Sequence, residues 1–228
     1  MLLAAIIFVI MFVWQKATKI RNKFIEYRKF EDHLEIISDI KNDREIPKHA
    51  SNLVYISNSD NPKEVESKVI YSIINKHPKR ADHYFIIRVN YDDAPETLEY
   101  KYEILIPHTL ISIDLYLGYR VDPKVSVYLR QIIEDIVAKN EISLVSNYPA
   151  LKKRNIPGDF RFIIIHRLFS PSSNCSQYEK IVMQLYGLLS KIGISTEKAL
   201  GLDTSNIAIE NVPLIINHGE NRRIRESI

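Results

Sequence analysis

The chain has 228 residues, 46% hydrophobic and 26% charged, a balance that fits one folded domain of ordinary size and excludes a disordered tail. The formal charge of +3 is concentrated near the start: Lys16, Lys19, Arg21, Lys23, Arg28 and Lys29 face the single acid Glu26, so the rest is close to neutral. That excludes the basic stripe a nucleic-acid partner needs, and a lone cysteine, Cys175, excludes an intrachain disulfide or a cysteine-rich metal site.

Residues 1–14, MLLAAIIFVIMFVW, are all apolar. No positive charge precedes the run and QKATKIRNK follows it, so neither flank fits a secretory signal. A core helix would show a polar face; this one is apolar all round and ends on Trp14, the kind of residue that sits at a membrane interface. Fourteen residues rise about 21 Å, against about 30 Å for a hydrocarbon core. The expectation is a partial transmembrane helix over residues 1–16, completed by upstream residues of a longer protein. The basic cluster after Trp14 then assigns everything beyond about residue 16 to the cytoplasmic side.

Ile20, Phe24, Tyr27, Phe30, Leu34 and Ile37 recur at spacings of three and four, predicting an amphipathic connector helix within residues 17–46. Glu31, Asp32 and Glu35 favour packing on a soluble domain over lying on the membrane. KNDREIPKH, with Pro47, marks a boundary, and residues 47–228 read as a cytosolic α/β domain. In order, NLVYIS (52–57) predicts a buried strand, residues 63–74 a helix, HYFIIRVN (83–90) a strand, and 98–106 and 109–117 two alternating strands. Residues 124–138 predict a helix, 160–168 a strand, 178–192 a helix and 207–216 a last strand. The fold class is α/β: a mixed β-sheet with flanking helices, preceded by the partial span and the connector.

No catalytic, cofactor or metal set stands out. The six glycines include no phosphate-binding pair, the seven histidines are scattered, and there is no Gly-x-Ser-x-Gly elbow. The chain therefore reads as a non-enzyme. HPKRAD (77–82) follows a predicted helix, where basic residues suit the helix dipole, and LGYRVDP (117–123) reads as a tight turn before a capped helix. Lys79, Arg80 and Arg120 are nevertheless the candidate anion-binding residues, expected to converge on one site if they share an end of the sheet.

The apolar span ending VWQKATKI, then HASNLVYISN, YSIINKHPKRADHYFIIRV, LGYRVDPKV and EKALGLDTSNIAIENVPLII, in that order, resembles the C-terminal tail of Kup-type potassium uptake permeases from Met1 to about Ile216. The resemblance implies the end of the last transmembrane helix and the cytosolic domain of a potassium–proton symporter in the plasma (inner) membrane. That domain would regulate or dimerise the permease, with the transport core and its ion sites outside this chain. The implied partners are the lipid membrane, the rest of the permease, a second copy and a small-molecule regulator. The alternative is a membrane-tethered sensor whose α/β domain binds a small anion such as a nucleotide.

Overall fold

The structure is a computed structural model describing residues 2–23, 25–59, 61–169, 176–190, 193–202 and 206–214. Cys175, Phe24 and the ends of the last predicted helix (191–192) and strand (215–216) lie outside the described residues. The chain divides into two compact units: the larger comprises Glu26–Ile165 and Ser195–Glu210, and the smaller takes in the residues before Glu26 and His166–Ile194.

Helix α1, Leu2–Lys23, runs unbroken through the apolar stretch and its basic flank. Its 22 residues span about 33 Å, and it is long and apolar enough to cross a bilayer. Side chains from Leu3 to Phe12 stand exposed.

The stretch read as one connector helix is divided. α1 ends at Lys23, Tyr27–Lys29 forms strand β1, Glu31–His33 makes a 3-10 turn, and α2 spans Leu34–Asn42. The apolar spacing is genuine on either side of the break: Ile20 is buried in the smaller unit, and Ile37 and Ile40 of α2 are buried in the larger. Between them, backbone pairing prevails over helical period. The Phe30 amide donates to the Lys63 carbonyl at 3.1 Å, and Phe30 itself is 2% exposed. For the same reason the helix predicted from residue 63 starts late.

The central sheet begins with β2, Asn52–Ser57. Strand β3, Glu64–Glu66, pairs antiparallel with β1, leaving α3 only Ser67–Ile74. The sheet continues with β4 (His83–Asp92), β5 (Leu98–Ile106) and β6 (Leu110–Gly118), and α4 (Val125–Ala138) crosses over toward β7 (Phe160–Phe169). Single turns α5 (Pro149–Lys152) and α7 (Thr196–Ala199) are too short to carry a period; α6 (Gln177–Ser190) lies between them and β8 (Ile207–Leu214) closes the set.

Six strands form the sheet in the order β5-β6-β4-β2-β7-β8. β2 is parallel to both β4 and β7, β4 is parallel to β6, and only β5 is shown antiparallel. The expected mixed sheet is thus present. Because side chains alternate across a strand, β2 feeds two cores. Val54 joins Phe85, Ile113 and Phe162 beneath Leu129, Ile132 and Ile136 of α4. Leu53 and Tyr55 join Ile86 and Ile163 beneath Val69 and Ile73 of α3 and Ile37 of α2. Each such side chain contributes about 1.5–3 kcal/mol by leaving water.

Alternation in β6 does not mean a wet face. Ser112 is buried and Asp114 is ion-paired, because the strand lies between β5 and β4 and is covered on both sides. The turn read at LGYRVDP is tight for a steric reason: a Cβ at Gly118 would lie 2.3 Å from the Ala94 carbonyl oxygen. The start of α4 lacks a side-chain cap; Asp122 instead lies 3.3 Å from Lys124 Nζ.

The helix predicted at 178–192 as a flank of the sheet belongs to the unit of α1. Val182 and Met183 of α6 bury against Ala17 and Ile20 of α1, with Tyr186 alongside.

Candidate functional site

The three candidate basic residues occupy different settings. Lys79 lies just past α3, 3% exposed, where its ammonium donates to the Ser72 and Lys76 carbonyls left open at the end of the helix. It sits 3.0 Å from Glu210 Oε1 of β8. The other carboxylate oxygen accepts from Ser72 Oγ at 2.7 Å, and that hydroxyl contacts Tyr55 Oη at 3.2 Å. Burial pushes the Tyr55 phenol well above its ordinary range. Lys79 is therefore neutralised by a strand 131 residues later, which joins the edge of the sheet to α3.

Arg80 is half-buried, bridged to Lys48 through the backbone, and its Nε has no partner among the described residues. Arg120 is exposed and stacks on neighbouring Tyr119 at 5.8 Å. β4 and β6 run parallel from Tyr84↔Leu110 to Asp92↔Gly118, and eight steps of about 3.3 Å put these ends roughly 26 Å apart. Lys79 and Arg80 precede the start of β4 and Arg120 follows the end of β6. The three do not form one site.

Parallel pairing collects the starts of β2, β4, β6 and β7 on one edge, and polar side chains gather there. His83 is 7% exposed, and its Nδ1–H donates to Asn52 Oδ1 at 3.0 Å. Asn52 Nδ2 in turn donates to the Asp159 carbonyl at 3.2 Å. Burial, with Lys41 as the next contribution, pushes His83 down to about 4 against the opposing charge of Asp82. Lys41 donates to the His108 carbonyl (2.7 Å) and Thr109 Oγ1 (2.8 Å), and burial lowers its ammonium despite Asp82. Lys48 pairs with Asp82 and lies 4.4 Å from the Tyr148 ring centroid.

A hollow of about 240 Å³ opens on this edge between Asp159, Phe160, Arg161, Asn206 and Ile207. A Cβ at Gly158 would meet Ser51 Cβ at 2.4 Å; that close approach lets Asp159 Oδ1 accept the Ser51 amide at 2.9 Å. Burial alone would raise the Asp159 carboxyl, but Ser51, its own backbone amide and Lys48 hold it below its ordinary value. Arg161 is exposed and has no ion pair among the described residues. His49 donates its amide to the Arg80 carbonyl at 2.8 Å, while its Nε2 is buried without a partner among the described residues. Its imidazole is lowered by burial first, then by Arg161 and Lys79, against Glu210 and Asp159. Of the side chains lining the hollow, exposed Arg161 can offer nitrogen donors to a small anion, with Asp159 as the opposing charge; His49 and Arg80 are not among the lining residues. Sequence reasoning missed Arg161 and Asp159, whose placement beside β2 depends on the β2–β7 pairing.

At the opposite edge, Pro62, Asn90, Tyr91, Asp92, Asp114 and Tyr116 line a hollow of about 380 Å³. Its cation, Arg88, is committed: Nε and Nη2 reach the Asp114 carboxylate at 2.5 and 2.9 Å, and Nη1 donates to the Pro62 carbonyl at 3.2 Å. Among the described residues no three His, Cys, Asp or Glu side chains gather to hold a metal.

Such edges suit recognition and the joining of elements, and they follow a helix of transmembrane proportions; the class is an α/β domain appended to a membrane-type helix. The chain belongs to the K+ potassium transporter C-terminal domain family, whose model matches residues 50–223. It is similar to the "Probable potassium transport system protein Kup" of Cytophaga hutchinsonii, 39% identical over 208 residues, or 91% of this chain and 32% of that protein. The proteins of the same name from Flavobacterium psychrophilum and Clostridium perfringens are each 36% identical, covering 96% and 98% of this chain and 34% of their own lengths. The chain spans about a third of the length of these curated relatives. No solved structure matches it.

Two outcomes follow from the buried charges. Glu210→Ala leaves the Lys79 ammonium buried and unpaired, and lowers the stability of the larger unit by about 3–5 kcal/mol. The Lys79→Met/Glu210→Leu double variant recovers most of that loss in urea unfolding of the full chain in detergent micelles. For His83, the unfolded imidazole titrates near 6.5 and the folded one near 4, so on acidification the unfolded chain takes up the proton first. Stability falls between these pH values by on the order of 3 kcal/mol, and His83→Gln removes that part of the slope while the smaller contribution of His49 remains.

Proposed function

We propose that this chain is the C-terminal portion of a potassium-uptake permease that works as a potassium–proton symporter in the plasma membrane. In this reading α1 supplies the end of the last transmembrane helix, and the α/β unit regulates or dimerises the permease. The observation that carries the reading is the family match over residues 50–223, joined to relatives whose names specify potassium transport. The exposed apolar face of α1 followed by Lys16, Lys19, Arg21 and Lys23 supports an orientation with later residues in the cytoplasm. The role is accessory to transport and not enzymatic, and the partners are the lipid membrane and the rest of the permease.

The test is potassium-limited growth of an uptake-deficient bacterium. The chain alone gives no growth; a chimera joining the transport portion of the Cytophaga relative to this chain restores it. A chimera inserted in the membrane at the relative's own level yet unable to support growth sinks the proposal.

A second reading, favoured by the hollow beside Arg161, is that the domain senses a small anion such as a nucleotide as its regulator. Calorimetric titration of the full chain with inorganic phosphate and with ATP then gives saturable binding, weakened at least about tenfold, or 1.4 kcal/mol, by Arg161→Ala. No heat from either anion at millimolar concentration removes this reading and leaves the permease assignment intact.

A further inference from the structure

Helix α6 makes ordered contacts with α1. Trp14 meets the Tyr186 ring at 5.2 Å between centroids, Arg21 Nη1 donates to Tyr186 Oη at 3.1 Å, and the charge of Lys23 reaches Glu179. Rising numbers on α1 meet falling numbers on α6, so the helices are antiparallel. Past Tyr186, α6 therefore travels back along α1 toward its apolar half. Consistent with that, Val13, one residue before Trp14, is 6% exposed although its neighbours Phe12 and Trp14 are open.

α6 also carries a second apolar face. Tyr178, Ile181, Leu185 and Leu188 follow one another at spacings of three, four and three, which puts them in one stripe, and all four are exposed, Leu188 at 60%. A Cβ built at Gly187 would meet nothing within 4 Å. From Lys180 to Ser190 the helix contains no acid, and after Lys180 its polar residues are Gln184, Tyr186 and Ser190. Contiguous exposed apolar surface of this kind marks contact with a partner or a membrane. The depth of the stripe identifies which. Trp14 has the character of an interfacial anchor, and Tyr186 meets it edge-on, so the turn bearing Leu185 and Leu188 lies level with the headgroups that Trp14 would occupy.

We propose that the C-terminal half of α6, led by Leu185 and Leu188, inserts into the headgroup–acyl boundary of the same bilayer that α1 enters, giving the chain a second lipid contact. This rests on the reading of α1 as a membrane span. The tilt of the stripe is its signature: Leu188 lies deepest and Tyr178, about 15 Å back along the helix, stays in the aqueous layer.

The test uses the full chain in vesicles of phosphatidylethanolamine and phosphatidylglycerol. Trp14 is the only tryptophan, so quenching of its emission by brominated lipid reports on α1 independently. In a Cys175→Ser background, a fluorescent label at Leu188→Cys or Tyr178→Cys is challenged with nitroxide-bearing lipid. The expected result is a quenched Trp14, strong quenching with a blue shift at position 188, and several-fold weaker quenching at 178. Quenched Trp14 with no difference between 188 and 178 overturns the proposal while the span stands. So does a disulfide between two copies at position 188 that shields it from lipid, since the stripe then faces a second chain. Unquenched Trp14 removes the span reading, and this proposal with it.

Discussion

The larger unit is organised by the pairing of β2 with β4 on one side and β7 on the other. With both edges satisfied and both faces covered, Asn52, Leu53, Val54 and Tyr55 are each shielded from water. A parallel strand in this position supplies side chains to two separate cores at once, which is why Leu53 to Ile56 are apolar in succession and not alternating. The same register brings four strand starts to one edge. Asn52, the first residue of β2, is consequently placed to accept from His83 at the start of β4 and to donate to the loop before β7. The polar cluster at that edge is a product of the pairing and has no separate scaffold.

Much of this was legible in the sequence because it depends on short-range period. NLVYIS, HYFIIRVN and the stretch 98–106 have the run lengths and apolar content of strands, and residues 125–138 repeat at helical spacing. The order of these segments also supported the family resemblance, which the match over residues 50–223 bears out. Three features were not legible. Strands of three residues, such as β1 and β3, are shorter than any period, so their pairing interrupted two predicted helices unannounced. The role of Lys79 depends on Glu210, and nothing local to HPKRAD indicates it. Arg161 reads as a charge on an otherwise apolar strand, and its nearness to His49 follows only once β7 lies beside β2.

The two units handle charge in opposite ways. In the larger one, Lys79, Arg88 and Lys48 are drawn inward and matched with Glu210, Asp114 and Asp82. Buried pairs of this kind add little net stability but penalise any arrangement that separates them, so they specify register at the sheet edges. In the smaller unit the basic side chains of α1 flank an apolar surface, where Arg21 is held by Tyr186 and Lys16 lies over the Phe12 ring at 5.5 Å.

The pairing of Asn52 with Phe160 joins residues 108 positions apart. On the ribosome, β2 and β4 emerge early and can pair, but the second edge of β2 stays open until β7 has been made. Until then the nascent chain presents an apolar strand edge of the kind that templates pairing between chains.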